Sequence, residues 1–257
     1  MTIMRKRDWI MNPDYQIDRI RMFNCDNMDF LRDVKDGHYD IGIIDPPYGI
    51  GADNPSIKNS KAKQKDGTYL NIEQKKYNKK DWDSKPPSKE YFNELFRVTK
   101  QQIIFGANYF GFVDLSGGRI VWDKLNGKSD QYGCEIAYCS FNIRTDIVYY
   151  LWSGFMQGEV ASNDINLAMR QIGNKKLNEK RYHQTQKPVK LYKWILSKYA
   201  KTGDKILDTH AGVFGLACAC LDMPYMGYSL DACEIEKEYF DIGVDKVKKV
   251  DQIQLNI

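Results

Sequence analysis

Short, mainly apolar runs alternate along the chain with longer stretches of helical spacing. Residues 40–44, 102–105, 119–122 and 205–207 have the length and character of parallel strands buried on both faces. Between them, residues 88–99 open on Ser88, a good helix cap, and place Tyr91, Phe92, Leu95 and Phe96 on one face. Residues 189–200 repeat the pattern with Leu191, Trp194, Ile195, Leu196 and Tyr199, and residues 236–250 form a third helical candidate. Strands alternating with helices predict an α/β fold with a doubly wound, mostly parallel sheet, and residues 1–257 read as one domain.

The first strand ends abruptly. In IGIIDPPYGI (residues 41–50), two prolines can donate no ladder hydrogen bonds and restrict the residue before them, so the strand stops at Asp45. Open α/β sheets place ligands at the carboxyl ends of their strands. Asp45-Pro46-Pro47-Tyr48 is therefore either a proline-rich exit turn or part of a ligand site. A second strand, in KILDTHAGVFG (residues 205–215), ends on Asp208 and runs through small residues into 216–221. Such a glycine turn lets a nucleoside approach the backbone near a helix amino end. Glu234 follows about 20 residues later, a spacing suited to ribose hydroxyls, although the turn lacks a clean GxGxxG.

Composition narrows the setting. A chain of 257 residues, 42% hydrophobic, buries one sizeable core, and a net charge of +4 is compatible with a nucleic-acid partner without requiring one. The first 16 residues hold no signal-peptide core, and no run approaches the roughly 18 apolar residues of a membrane span, so a cytoplasmic protein without a membrane partner is expected. Six cysteines form no CxxC pair and no zinc-like spacing with the histidines, and no metal is expected. Residues 51–82, directly after Tyr48, form a lysine-rich insertion carrying Lys58, Lys61, Lys63, Lys65, Lys75, Lys76, Lys79 and Lys80. A second basic zone holds Arg170, Lys175, Lys176, Lys180, Arg181 and Lys193. Either is a solvated surface or a phosphate-binding one.

Taken together, the motifs resemble those of S-adenosylmethionine-dependent DNA amino-methyltransferases of the circularly permuted β class, in which DPPY comes first and the glycine turn last. Here DPPY begins at Asp45 and DTHAG at Asp208. NCDNMDFLRDV (residues 24–34), IIFGANYF (103–110), GGRIVWDK (117–124) and HQTQKP (183–188) resemble the remaining core motifs in order. The arrangement is similar to methylases commonly encoded by phages and prophages. One departure is Gly212-Val213-Phe214-Gly215 where the family usually has GSG, and Phe214 there could crowd the cofactor or change the turn.

The resemblance implies double-stranded DNA as substrate and leaves room for a homodimer. It assigns catalysis to Asp45, Pro46, Pro47 and Tyr48. The Asp45 carboxylate and the Pro46 carbonyl would each accept an N–H of the target amine, turning its lone pair toward the methyl group, while the prolines stiffen the turn. Tyr48 would stack on a base rotated out of the duplex. Cofactor contacts are implied for Asp26 at the adenine, Glu234 at the ribose, Asp208, His210, Ala211 and Gly212 at the turn, and Thr185, Gln186, Lys187 and Asp45 near the methionine end. His183 and His210 read as structural hydrogen-bonding residues rather than bases. An aspartate opening the motif leans toward adenine N6 in this family, with cytosine N4, RNA methylation or a nucleic-acid-binding relic as alternatives. DNA contacts are expected from Lys58, Lys61, Lys63, Lys65, Lys75, Lys76, Lys175 and Lys176, with residues 153–183 as a small recognition segment.

Overall fold

The computed structural model describes residues 11–52, 82–127, 133–153, 156–182 and 185–254, together with the backbone of 60–63 and 69–72. Nine strands form one mixed sheet. In chain order they are β1 (Tyr15–Ile17), β2 (Ile20–Phe23), β3 (Tyr39–Ile44), β6 (Thr99–Phe105), β7 (Gly118–Asp123), β8 (Cys134–Cys139), β9 (Thr145–Tyr149), β12 (Lys205–Asp208) and β13 (Ser229–Cys233). Two separate antiparallel pairs complete the set: β4 (Ser60–Lys63) with β5 (Tyr69–Ile72), and β10 (Trp152–Ser153) with β11 (Met156–Gln157). The spatial order of the large sheet is β1-β2-β13-β12-β3-β6-β8-β7-β9. Its centre, β2-β13-β12-β3-β6, is wholly parallel, and β8 runs antiparallel to both of its neighbours. The doubly wound, mostly parallel sheet expected from the alternation of runs is what forms.

Side chains along the central strands alternate between two apolar layers. Ile41, Ile43, Ile103, Phe105 and Ile206 face α4 (Val189–Tyr199), α5 (Gly215–Leu221) and α6 (Lys237–Gln254). Tyr39, Ile44, Ile104 and Leu207 face α1 (Asn27–Asp33) and α2 (Lys89–Val98). Each layer buries its strand side chains almost completely, the arrangement that a fully covered parallel sheet requires.

Local chemistry fixes the helix ends. Ser88 Oγ accepts from Tyr91 N at 3.2 Å to start α2, and Thr99 closes it by donating from Oγ1 to the Leu95 carbonyl at 2.6 Å. Asp26 starts α1 by accepting from the amides of Met28 and Asp29. Helix α4 follows Pro188, which has no side chain to cap it. Instead Glu179 reaches across and accepts from Val189 N at 2.8 Å. The same carboxylate takes Gln186 Nε2 at 3.0 Å and Lys246 Nζ of α6 at 2.9 Å, and so ties residues 156–182 to the body. That segment contains a short helix, α3 (Ile165–Ala168), and its Gln157 side chain is bonded both ways to the Glu179 backbone.

Candidate active site

The path of the chain reverses between β12 and β3. From β12 it crosses through α5 to β13 on one side, and from β3 through α2 to β6 on the other. Two parallel neighbours whose crossovers leave in opposite directions open a crevice at their carboxyl ends, the place where such sheets bind ligands. Asp45 follows β3 and Asp208 ends β12, so both motif aspartates stand at this point. A cavity of about 510 Å3 occupies the crevice, within the range of small-molecule sites. The Asp45–Tyr48 turn lines one wall, Thr209 to Val213 another, and Thr185 to Lys187 and Glu234 to Glu236 the rest.

Asp45 belongs to an ion cluster. Lys187 Nζ lies 2.8 Å from both Asp45 carboxylate oxygens, 2.9 Å from Glu135 Oε2 and 3.2 Å from the Tyr48 hydroxyl. Lys124 closes the far side, 2.6 Å from Glu135 Oε1. The Lys187 side chain is 2% exposed and lies 5.1 Å and 5.4 Å above the Phe105 and Tyr48 rings. Burial would push Lys187 toward neutrality, but Asp45 and Glu135 together raise it above the ordinary lysine value. The two carboxylates then part. Burial would raise Glu135, yet Lys187 and Lys124 hold it down at about 2. Asp45 stays above the usual range because burial, aided by the Glu135 charge, outweighs its share of Lys187. When neighbours drive two acids apart in this way, the softer one is suited to take up a proton.

The DPPY turn is braced from beneath. Asp83, fully buried, accepts from Tyr48 N at 2.6 Å and Gly49 N at 2.9 Å through one oxygen, and from Ala52 N at 2.7 Å through the other. The Tyr48 hydroxyl points back to Asp45 Oδ1 at 2.8 Å and Glu135 Oε2 at 3.2 Å. The Tyr48 ring is stacked on Tyr109, with centroids 5.0 Å apart and planes 16° from parallel. This fit needs Gly106, whose φ is +71° and where any Cβ would overlap the Tyr48 ring.

Across the cavity, Glu234 accepts from Gly212 N at 2.7 Å and Glu236 N at 2.8 Å, which pins the β12–α5 turn to the end of β13. Asp208 lies under the turn and receives His210 N at 3.1 Å. Burial, with no cation beside it, raises its carboxyl to about 8. His210 is pushed down to about 4 by burial and stays neutral near pH 7. Its Nε2 is 2.9 Å from Asn27 Nδ2 and its Nδ1 is 3.0 Å from Thr209 Oγ1, which in turn meets the Tyr91 hydroxyl at 2.6 Å.

Phe214 corrects an expectation. It does sit in the turn at φ +56°, a left-handed angle that is uncommon for a bulky residue. Its ring, however, faces away from the cavity into the layer beside α6, fully buried and 5.7 Å from Phe240 in an edge-on contact. Gly243 of α6 provides the space, since a Cβ there would run into the ring. The cavity is lined by Val213 and Gly215, and Phe214 does not crowd it.

The structure brings together Asp45, Pro46, Pro47, Tyr48, Thr185, Gln186, Lys187, His210, Ala211, Gly212 and Glu234 around one cavity. Asp26 spends its carboxylate on the α1 cap, and its neighbours Cys25 and Asn27 line the cavity instead. Gln186 is buried in bonds to Glu179, Lys180 and Tyr182. Lys175 and Lys176 lie on an exposed short helical turn. Lys58, Lys65, Lys75, Lys76 and His183, and the side chains of Lys61 and Lys63, lie outside the described residues. Sequence reasoning missed Glu135, Lys124 and Asp83. The available signal for Glu135 was an acid inside the otherwise apolar run CEIAYC.

Among the described residues, no helix is long and apolar enough to cross a membrane. A DNA methylase family model of the N6/N4 type matches residues 121–245. The type II methyltransferase M.HpaI of Haemophilus parainfluenzae is 25% identical over 245 residues, covering 84% of this chain and 70% of that protein. Among solved structures, the M1.HpyAVI–SAM complex is similar with a TM-score of 0.50 and 18% identity, covering 89% of this chain and 98% of the other. The cytosine-N4-specific PvuII DNA methyltransferase has a TM-score of 0.52 and 12% identity, covering 95% of each chain. The two structures share the fold, and the sequence matches support a DNA methyltransferase of the N6/N4 type.

Proposed function

We propose that this protein transfers a methyl group from S-adenosylmethionine to the N6 amino group of adenine in double-stranded DNA. One observation carries the reading: a largely covered, proton-attracting aspartate, braced on a double-proline turn, shares a single cavity with a glycine turn at the switch point of the sheet. The strands that carry the two halves come from opposite ends of the chain, which supports the permuted motif order.

The cavity suits a nucleoside joined to an amino acid. The turn from Thr209 to Val213 would lie under the nucleoside, Glu234 and Asn27 at its hydroxyl and base edges, and Thr185 toward the amino-acid end. When bound, the cofactor supplies an electrophilic methyl on a sulfonium. Everything else falls to this chain. Asp45 and the Pro46 carbonyl accept the two amine hydrogens, drawing the nitrogen away from planarity, and the prolines hold both acceptors in place beforehand. The raised Asp45 carboxyl then takes the proton that the methylated nitrogen releases. Tyr48 and Tyr109 offer parallel aromatic faces beside this acceptor, where a flipped base is stacked. The basic residues of 51–82 and 170–181 contribute phosphate contacts, which hold the duplex without reading sequence.

The test is direct. The protein is incubated with S-adenosylmethionine and genomic duplex, and the digested nucleosides are analysed by mass spectrometry. N6-methyladenine is expected. N4-methylcytosine would overturn the choice of base, and an unmodified digest from every DNA offered would overturn the activity.

A further inference from the structure

Lys187 has three N–H protons and four acceptors within 3.2 Å: both oxygens of Asp45, one of Glu135 and the Tyr48 hydroxyl. The Tyr48 hydroxyl has one proton and two carboxylates within 3.2 Å. Neither donor can serve all its acceptors at once, so the bonds to Asp45 are shared ones. Glu135 is the competitor in both cases. It enters from β8, a strand separate from those carrying the two motifs, and Lys124 anchors it from behind.

We propose that Glu135 is a positioning residue for methyl transfer: by drawing Lys187 and the Tyr48 hydroxyl partly onto itself, it leaves the Asp45 carboxylate exchangeable with an incoming amino group. Without Glu135, Lys187 would fasten both Asp45 oxygens, and the target amine would have to break a buried ion pair to reach them. Without Lys187, Asp45 would become an unpaired buried acid and take up a proton. This inference rests on the methyl-transfer reading above for its purpose, but the sharing itself is testable without it.

Among the described residues, Lys187 and Tyr48 touch Asp45, Glu135 and Lys124 lie behind them, and Asp208 and Tyr192 are the next neighbours. Burial raises the Asp208 carboxyl and weakens its charge, and the groups touching or nearest Asp45 with opposed charges are Lys187 and Glu135.

The two variants should therefore move Asp45 in opposite directions. In Glu135→Gln, Lys187 belongs to Asp45 alone and its titration falls by about one unit or more; in Lys187→Met it rises by a similar amount. Carbon-13 NMR of the full-length, cofactor-free protein with labelled aspartate reads this directly. In the methylation assay, the acid limb of kcat shifts to lower pH in Glu135→Gln and to higher pH in Lys187→Met. At the optimum, kcat of Glu135→Gln falls about tenfold or more while KM for S-adenosylmethionine stays within about twofold. Glu135→Asp keeps the charge and restores both the titration and most of the rate. It also serves if the glutamine variant does not fold.

Titrations that stay put, or that move the same way in both variants, would overturn the proposal. So would a Glu135→Asp protein that restores neither readout. A wild-type protein that methylates nothing would defeat the functional reading alone, because the NMR titrations still decide whether Glu135 tunes Asp45.

Discussion

Asp45 and Asp208 occupy matching positions, at the carboxyl ends of neighbouring parallel strands, each after an apolar run and before a turn that lines the same cavity. Their surroundings differ in one respect that decides their chemistry. Asp45 meets a lysine and a tyrosine hydroxyl, and Asp208 meets a single backbone amide. Burial raises both carboxyls. Among the described residues, of the two only Asp45 has a cation beside it, and Lys187 favours the charged carboxylate that can accept hydrogens from a substrate. Asp208 is a mostly neutral post under the turn. The turns differ in the same sense: one is stiffened by two prolines and the Asp83 bracket, the other bends through Gly212 and Phe214 and is held by Glu234. Two nearly identical sequence signatures, an apolar strand ending in aspartate, thus produce an acceptor and a support.

Substitution at the two strand ends tests that contrast. The largest effect is expected at Asp45. Asp45→Ala should lower methyl transfer by about 10²–10³-fold, the cost of losing one preorganised acceptor, with cofactor affinity nearly unchanged by calorimetry. Retention of more than a tenth of the rate would make Asp45 a support like Asp208 and dissolve the comparison. Next comes Phe214→Gly, which trades relief of a left-handed backbone for a lost buried ring. Deleting such a ring costs about 3–5 kcal/mol, and the backbone relief returns only about 1 of it. Chemical denaturation should therefore show clear destabilisation, whereas improved cofactor binding at unchanged stability would restore the crowding idea.

Asp83→Ala should cost about 1–3 kcal/mol, since three partly buried amides lose their acceptor. It should also lower kcat more than KM, because the DPPY turn loosens while the opposite wall is untouched. An unchanged kcat would show that the prolines alone hold the turn.

The smallest effect on methyl transfer is expected from Asp208→Asn, which acts on stability instead. The folded-state carboxyl titrates near 8, against 3.8 when unperturbed, so its contribution to stability is full below about pH 4 and is lost as pH rises through 8. The asparagine protein escapes that loss and should melt above wild type at pH 8.5, with no advantage at pH 4. A wild type whose melting temperature is flat between pH 4 and 8 would mean that Asp208 has an unrecognised partner.

The parts of this molecule that could be read from the sequence were those in which composition and position say the same thing. The runs at 40–44, 102–105 and 205–207 became β3, β6 and β12 within a few residues, because a strand buried on both faces has little reason to carry polar side chains, whereas the run at 119–122 became β7, whose residues alternate buried and half-buried. The helices at 88–99 and 189–200 were equally plain from their apolar faces. Strand β8 was not read, and its exposure explains why: Cys134 is open and the next two residues are half-buried, so CEIAYC has neither a clean alternation nor a continuous apolar run. Glu135 was missed with it, since its meaning comes from Lys187 and Lys124, which are 52 residues after it and 11 before it along the chain. Asp83 was hidden for a related reason. Its three partners are backbone amides 31 to 35 residues away, and amides leave no mark in a sequence. Phe214 shows the opposite failure. The residue was noticed, but the direction of its ring depends on a glycine 29 positions later in α6.

The position of β12 and β13 bears on how the molecule comes into being. These strands lie between β2 and β3 at the middle of the sheet, yet they follow β3 along the chain by more than 150 residues. Until residues 205–233 emerge, β2 and β3 each present an unpaired parallel edge, with apolar side chains on both faces and no strand between them. Such edges recruit strands from other chains, and closing a contact across most of the sequence is slow. Holding these edges apart during synthesis is a task for chaperones or for speed, and a variant rearranged to begin near residue 185 would make the central strands first and remove the interval of exposure.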